Sequence, residues 1–244
     1  MIGILCATPE ELAALKAQCQ LDPGVRRFGP TEVWGGTCKG HKVTLALAGM
    51  GKINAAAATT LLLQVFQPRA LVFAGVAGGL NPALKVGDIL LGTGFAIHDY
   101  GILADGIFTR TPSGGFPIGV PALNALTPLA PQIAGHLAKL QADLHSGDGP
   151  AVRLGGLLTG DYFLACRETR DDLHATFGAD AVDMESGAVH QVAEAWNCPL
   201  YVIRTLSDLA GEDSHIGYEA MAAMAAINSA RCVPALLDLI AAET

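Results

Sequence analysis

Basic charge is scarce in this sequence. Its 244 residues include 15 Lys or Arg against 23 Asp or Glu, a formal net charge of −8 with His neutral. There is no basic run and no basic amphipathic stretch, and an acidic surface repels phosphate backbones, so non-specific nucleic-acid binding is excluded. Charged residues are only 16% and hydrophobic ones 51%, which excludes a disordered chain. None of the six cysteines (Cys6, Cys19, Cys38, Cys166, Cys198, Cys232) forms a C-x-x-C pair or a Cys/His cluster at metal-ligand spacing. With Cys6, Cys166 and Cys198 in or beside apolar runs, they read as small buried hydrophobes of a reduced compartment. No apolar stretch reaches the roughly 18 residues of a membrane span. The first apolar run, Ile2 to Ala7, has no basic residues before it and meets Pro9-Glu10-Glu11 at once. No secretory signal and a cytoplasmic location are therefore expected.

What is present is alternation. Short apolar runs read as strands at Ile2–Cys6, Lys42–Ala48, Arg69–Gly75, Val86–Gly92, Leu154–Thr159 and Pro199–Thr205. Helical spacing falls at Pro9 to Gln18, Lys52–Val65, about Leu123 to Asp143, Met184–Trp196 and about Tyr218 to Ala242. Phe95 to Asn124 is turn-rich and irregular. This interleaving implies one α/β domain over 1–244 with a largely parallel central sheet flanked by helices. Ligands of such sheets bind beyond the carboxyl ends of the strands, so polar residues just after strands carry the functional information.

Five segments qualify. Thr8-Pro9-Glu10-Glu11 follows the first strand and has the form of a capping box. Glu11 there either serves the helix dipole or points into a site and deprotonates a water. Gly49-Met50-Gly51-Lys52-Ile53-Asn54 fails the G-x-x-x-x-G-K-[ST] phosphate loop, because Ile53 replaces the hydroxyl residue. It is either a tight turn or a backbone surface lying against a small ligand. Gly75-Val76-Ala77-Gly78-Gly79 reads as a glycine-rich turn with the same two possibilities. Val182-Asp183-Met184-Glu185-Ser186 offers carboxylates able to grip a cis-diol and a Met able to pack on a ring, or else a capped helix start. Asp208, just past a buried strand, is half desolvated, which raises a carboxyl pKa and suits a general acid; a turn cap is the alternative. His98-Asp99 and His215 have no second His at ligand spacing and read as structural.

In this order, IGILCATPEEL (2–12), GMGKINAAAATTLL (49–62), FAGVAGGLNPALKVGDI (73–89), TGDYF (159–163), VDMESGAV (182–189) and IRTLSDLAGEDSH (203–215) resemble the nucleoside phosphorylase superfamily. Within it the chain is most similar to the nucleosidases acting on 5′-methylthioadenosine and S-adenosylhomocysteine. The resemblance implies a mixed, distorted sheet in a three-layer fold, a homodimer, and neither metal nor cofactor. It implies a nucleoside as the small-molecule partner. It makes Glu11 the water-activating residue, Asp208 the acid that protonates adenine N7, and Met184 and Glu185 the ribose-binding pair. Phe163 would stack on the base, Leu164 would pair its edge through backbone groups, and Tyr218 would line the 5′-substituent pocket. Met50, Val76, Ala77, Gly78, Asp183, Ser207 and Ala210 complete the expected substrate-binding set. Phosphorylases of the superfamily carry an Arg shortly after the first strand; Cys6-Ala7-Thr8-Pro9-Glu10-Glu11 is acidic there and favours water over phosphate. Val76, Asp183 and Cys6 depart from the nucleosidase pattern. That leaves a futalosine-type hydrolase, a phosphorylase and a non-catalytic nucleoside-binding protein as alternatives.

Overall fold

Ile2–Cys6 is apolar, apart from one glycine, and forms strand β1 with all five residues buried. Alternate side chains go to opposite faces of a strand. Accordingly Ile2, Ile4 and Cys6 join one hydrophobic layer, while Leu5 and Ala7 join another. The same parity puts Val72 and Ala74 in the first layer and Leu71 and Phe73 in the second. A sheet whose two faces are both apolar must be covered on both sides.

This computed structural model describes residues 1–144 and 149–242. After β1 come α1 (Pro9–Lys16), β2 (Gln20–Phe28), β3 (Thr31–Cys38), β4 (His41–Leu47), α2 (Lys52–Leu61), β5 (Leu71–Gly79) and β6 (Ile89–Ile97). Then follow β7 (Gly101–Ala104), β8 (Ile107–Arg110), β9 (Thr127–Pro128), α3 (Pro131–Leu144), β10 (Val152–Thr159) and α4 (Arg167–Phe177). The chain continues with β11 (Ala181–Asp183), α5 (Ser186–Ala195), β12 (Leu200–Asp208) and α6 (Ser214–Ala241). Among the described residues the main sheet has ten strands in the order β11-β10-β6-β12-β5-β1-β4-β3-β2, with β9 beside β6. It is mixed: β1 runs parallel to β4 and β5, whereas β12 is antiparallel to β6 and parallel to β5. Helices α1, α3 and α6 supply side chains to one apolar layer; α2 and α5 supply the other.

Several boundaries differ from the sequence expectation. Gly75 to Gly79 is not a turn. It continues β5, pairing with β12 and, at Gly78 and Gly79, antiparallel with β11. That last pairing joins β5, β12, β6, β10 and β11 into a closed hydrogen-bonded ring. Glycine serves here because two side chains from β12 and α1 fill the space beside it: a Cβ on Gly75 would lie 2.3 Å from Arg204 Nη1 and from Glu11 Oε1. Strands β2 and β3, helix α4 and strand β11 went unread in the sequence. α3 starts at Pro131 rather than near Leu123, and α2 passes into a π turn at Leu62–Phe66 ended by Gln67 at φ 48°. The irregular stretch after Phe95 contains the end of β6 and the β7–β8 hairpin. Cys166 is exposed, not buried, because it sits at the N-cap of α4. α6 is long and apolar enough to cross a membrane by length and composition, but half of its most apolar stretch is buried, and it runs against β12, β5, α1 and α3.

Ile203 is fully buried at the centre of β12. Ile203→Ala should therefore lower unfolding stability by about 2–5 kcal/mol. In urea titration this appears as a shifted midpoint at unchanged slope; a loss under ~0.5 kcal/mol, the range of an ordinary surface substitution, would contradict the core placement.

Candidate active site

The turn from β1 into α1 does two jobs. Thr8 caps the helix, accepting the Glu11 N–H at 3.3 Å, and the Glu11 carboxylate returns to the Thr8 N–H at 3.1 Å and the Ala7 N–H at 2.7 Å. Its other oxygen accepts the Val76 N–H on β5 at 3.0 Å. Pinned from two strands, Glu11 is 3% exposed. Burial raises its pKa, against the lowering pull of Arg204 and the three backbone donors. A carboxylate whose proton affinity has been raised is a better general base.

Asp208 arrives by a different device. The β12–β5 register slips between Leu206 and Asp208, so Leu206 faces Ala77 and Asp208 faces Gly78. Consecutive strand residues normally point to opposite faces. The bulge lets Ser207 and Asp208 line one cavity together, which is a recurrent use of bulges beside active sites. Asp208 Oδ2 accepts the Ser207 hydroxyl at 2.9 Å and Oδ1 accepts the Ala210 N–H at 2.9 Å. Burial raises the Asp208 pKa, and these donors offset only part of the rise. A carboxyl held towards its protonated form is placed to donate a proton.

Between them lies a buried charge cluster at the junction of β11 and α5. Arg204 on β12 is fully buried, with Nε 2.9 Å from Asp183 Oδ2, Nη2 3.1 Å from Ser186 Oγ and Nη2 3.9 Å from Glu185 Oε2. Its guanidinium lies 3.9 Å over the Phe73 ring. Nη1 has no hydrogen-bond partner among the described residues. The Asp183 carboxylate also accepts the Thr159 hydroxyl at 2.6 Å, the Ser186 hydroxyl, and the N–H groups of Glu185 and Ser186. With its lone pairs occupied, Asp183 caps α5 and anchors Arg204; it is not free to hold a diol, which corrects its expected role. Among the described residues, Glu185 accepts the Gly51 N–H alone, at 2.8 Å, in addition to its approach to Arg204. Burial pushes its pKa up to about 8, helped by Asp183 and resisted by Arg204 and Gly51.

Glu11, Asp183, Glu185 and Asp208 border one cavity of about 420 Å³, a size suited to a small organic ligand. Glu11, Asp183, Glu185, Ser207 and Asp208 contribute its polar wall. Met50, Val76, Ala77 and Gly78 line it from the β4–α2 turn and β5. Phe163, Leu164, Met184 and Tyr218 supply apolar surface, and Phe163 and Tyr218 meet edge to face with centroids 5.7 Å apart. Ala210 is the exception: it is not part of the wall, and its N–H acts on Asp208 from behind. Ala7, Thr8, Tyr162 and Val182, which line the cavity, were missed, as was Arg204 beside it. Arg204 had a legible signal, a lone charge inside the apolar run Tyr201-Val202-Ile203-Arg204-Thr205-Leu206. His98, next to the site, is buried, with Nδ1 3.2 Å from the Tyr162 hydroxyl.

A carboxyl held towards protonation and a second, backbone-anchored carboxylate across one small apolar-walled cavity define an acid–base catalytic site for an organic substrate. The pattern describing the phosphorylase superfamily matches residues 1–238, and the chain belongs to that superfamily. It is 37% identical over 251 residues to a 5′-methylthioadenosine/S-adenosylhomocysteine nucleosidase of Mycobacterium bovis, covering 99% of this chain and 98% of that protein. The Helicobacter pylori 5′-methylthioadenosine/S-adenosylhomocysteine nucleosidase, solved with a pyrrolidine-based inhibitor, superposes with a TM-score of 0.84 at 26% identity, over 97% of each chain. The futalosine hydrolase of the same organism superposes equally, with a TM-score of 0.84 at 25% identity over 97% of each chain.

The carboxyl shifts have a consequence for stability. Glu11, Glu185 and Asp208 bind protons more tightly folded than unfolded, so the folded chain carries extra protons above about pH 4 and loses stability as pH rises. Buried His98, held down to about 4 from 6.5, gives the opposite slope, which ends near 6.5. Above pH 6.5 the opposing His98 slope has ended, and Glu185, pushed up to about 8, should add to the fall. Urea stability should fall with pH there, by at most ~1.4 kcal/mol per unit from this group, and Glu185→Gln should flatten the fall. Identical slopes in wild type and variant would show that Glu185 keeps its unfolded pKa.

Proposed function

We propose that this protein hydrolyses the N-glycosidic bond of adenine nucleosides, with 5′-methylthioadenosine and S-adenosylhomocysteine as its leading substrates, releasing adenine. The observation that carries this reading is the presence of Glu11 and Asp208 on the wall of the same cavity, although they lie 197 positions apart in the chain.

Breaking the bond moves an electron pair onto the base and leaves positive charge on the ribose. Asp208 donates its proton to N7, so the base departs neutral. Glu185 accepts hydrogen bonds from the 2′- and 3′-hydroxyls, and Met184 packs against the sugar. Glu11 takes a proton from the water that attacks C1′. This is the division of labour of an inverting glycosidase. Phe163 and Leu164 hold the base, and Tyr218 borders the 5′-substituent. Phosphorolysis is disfavoured by charge. Glu11, Asp183, Glu185 and Asp208 line the cavity, no Lys or Arg among the described residues does, and the nearby Arg204 is committed to Asp183 and Ser186. A phosphate dianion needs an uncommitted cation or helix N-terminus there.

A homodimer in the cytoplasm, acting in methionine salvage, is the accompanying proposal. Exposed apolar side chains on α2 and around the β7–β8 hairpin (Ile53, Leu103, Ile107, Phe116) support a self-association surface. The six free thiols suit a reducing compartment.

The test is a panel of adenine and 6-oxopurine nucleosides, with and without phosphate, with the released base and sugar identified. Free adenine and free sugar are expected without phosphate; strict phosphate dependence would make the protein a phosphorylase, and turnover confined to futalosine-type nucleosides would redirect the substrate. Asp208→Asn should lower kcat by about 10²–10⁴-fold while adenine affinity changes little, since the lost interaction belongs to the transition state. Equal losses in kcat and adenine affinity would reduce Asp208 to a binding residue.

A further inference from the structure

Two loops that line the cavity, after β4 and after β10, and a third after β6 are tied together by one charge cluster outside it. Lys52 opens α2, whose N-cap, Gly51, has no side chain to satisfy the helix N-terminus. The missing cap comes from elsewhere: Asp161, just past β10, accepts the Lys52 N–H at 2.8 Å. Gly51 has φ +91°, and a Cβ there would lie 3.2 Å from Asp161 Oδ1, so the contact needs glycine on both conformational and steric grounds. The Lys52 ammonium bonds Asp99, just past β6, and lies 3.6 Å from Asp161 Oδ2. Asp99 closes the triangle by accepting the Asp161 N–H at 2.7 Å. The Lys52 and Asp99 side chains are about one-fifth exposed, so their attraction is less screened than that of a surface pair.

What this cluster holds follows from its chain neighbours. Met50 and Gly51 precede Lys52. Met50 lines the cavity, and the Gly51 N–H is the hydrogen-bond donor to Glu185. Tyr162, Phe163 and Leu164 follow Asp161 and line the cavity with largely apolar surface. Under the function proposed above, the first group faces the ribose and the second the base. We propose that Lys52, Asp99 and Asp161 form a latch that sets the spacing between the sugar side and the base side of the cavity. They are positioning residues: none lines the cavity; Lys52 and Asp161 act through chain neighbours that do, and Asp99 acts by holding those two together. A displacement near 1 Å at a reacting centre can cost about 10²-fold in rate, so a rigid spacing between the two walls has value for catalysis.

A latch of this kind makes a prediction that general loosening does not. A ligand touching one wall should ignore the latch, and a ligand spanning both should need it. The experiment measures calorimetric affinity for adenine alone and for an adenine-type C-nucleoside, whose carbon–carbon link cannot be hydrolysed, in wild type, Lys52→Met and Asp161→Ala. C-nucleoside affinity and kcat/KM should fall about 10-fold or more in both variants, adenine affinity should stay within about 3-fold, and Lys52→Arg should recover part of the loss because it keeps the charge. Far-ultraviolet circular dichroism and urea midpoints check folding. If Asp161→Ala does not fold, Asp161→Asn replaces it, since the amide oxygen can still cap α2 while the charge is gone. Equal losses for both ligands, or no loss for either, overturn the latch while leaving the proposed reaction intact. A wild-type protein that binds neither ligand and cleaves no nucleoside overturns the proposed function, and the latch falls with it.

Discussion

The site is organised around a guanidinium with no access to water. Arg204 sits in the middle of β12 among apolar side chains, where an unpaired charge would cost several kcal/mol. Its position is therefore tolerable only with anionic neighbours. Asp183 takes Nε, Ser186 takes Nη2, Glu185 lies near, and its field lowers the proton affinity of Glu11. Burial is the largest influence on both Glu11 and Glu185 and raises their proton affinity, and Arg204 opposes that rise in each. Cation and carboxylates thus depend on one another, and the site exists as a set. The closed ring of β5, β12, β6, β10 and β11 is what brings the set together, since it places β11 against the glycine end of β5, where Arg204 can reach Asp183.

Structural and chemical roles coincide here more than they compete. Glu11 completes a helix capping box and lines the cavity with the same carboxylate. Asp183 caps α5 and fixes Arg204. Asp161 caps α2 and ties the two cavity walls. In each case a helix N-terminus, with its unsatisfied N–H groups, orients a carboxylate without spending a second side chain. Asp208 is held differently, by a bulge whose extra residue turns two consecutive side chains towards one space. Its neighbours Ser207 and Ala210 steady it through hydrogen bonds rather than through charge. This leaves burial as the dominant influence on its proton, as befits a donor.

The amino-acid sequence by itself determined the apolar strands, the capped first helix and the class of fold, because these depend on local periodicity and on residues a few positions apart. It also marked Glu11, Glu185 and Asp208 as polar groups at strand ends. It misjudged Gly75 to Gly79, since the same small residues that suit a turn also suit a strand hemmed in by Arg204, Glu11 and Leu206. It passed over β2 and β3, whose Gly- and charge-bearing residues lack clean alternation. Which carboxylate would bind and which would brace was decided only by tertiary structure. Asp183 and Glu185 are two residues apart and chemically alike, yet one is saturated by five donors and the other keeps lone pairs for the cavity. That difference depends on contacts with Thr159, Arg204 and Gly51, residues that adjoin them only once distant strands have paired.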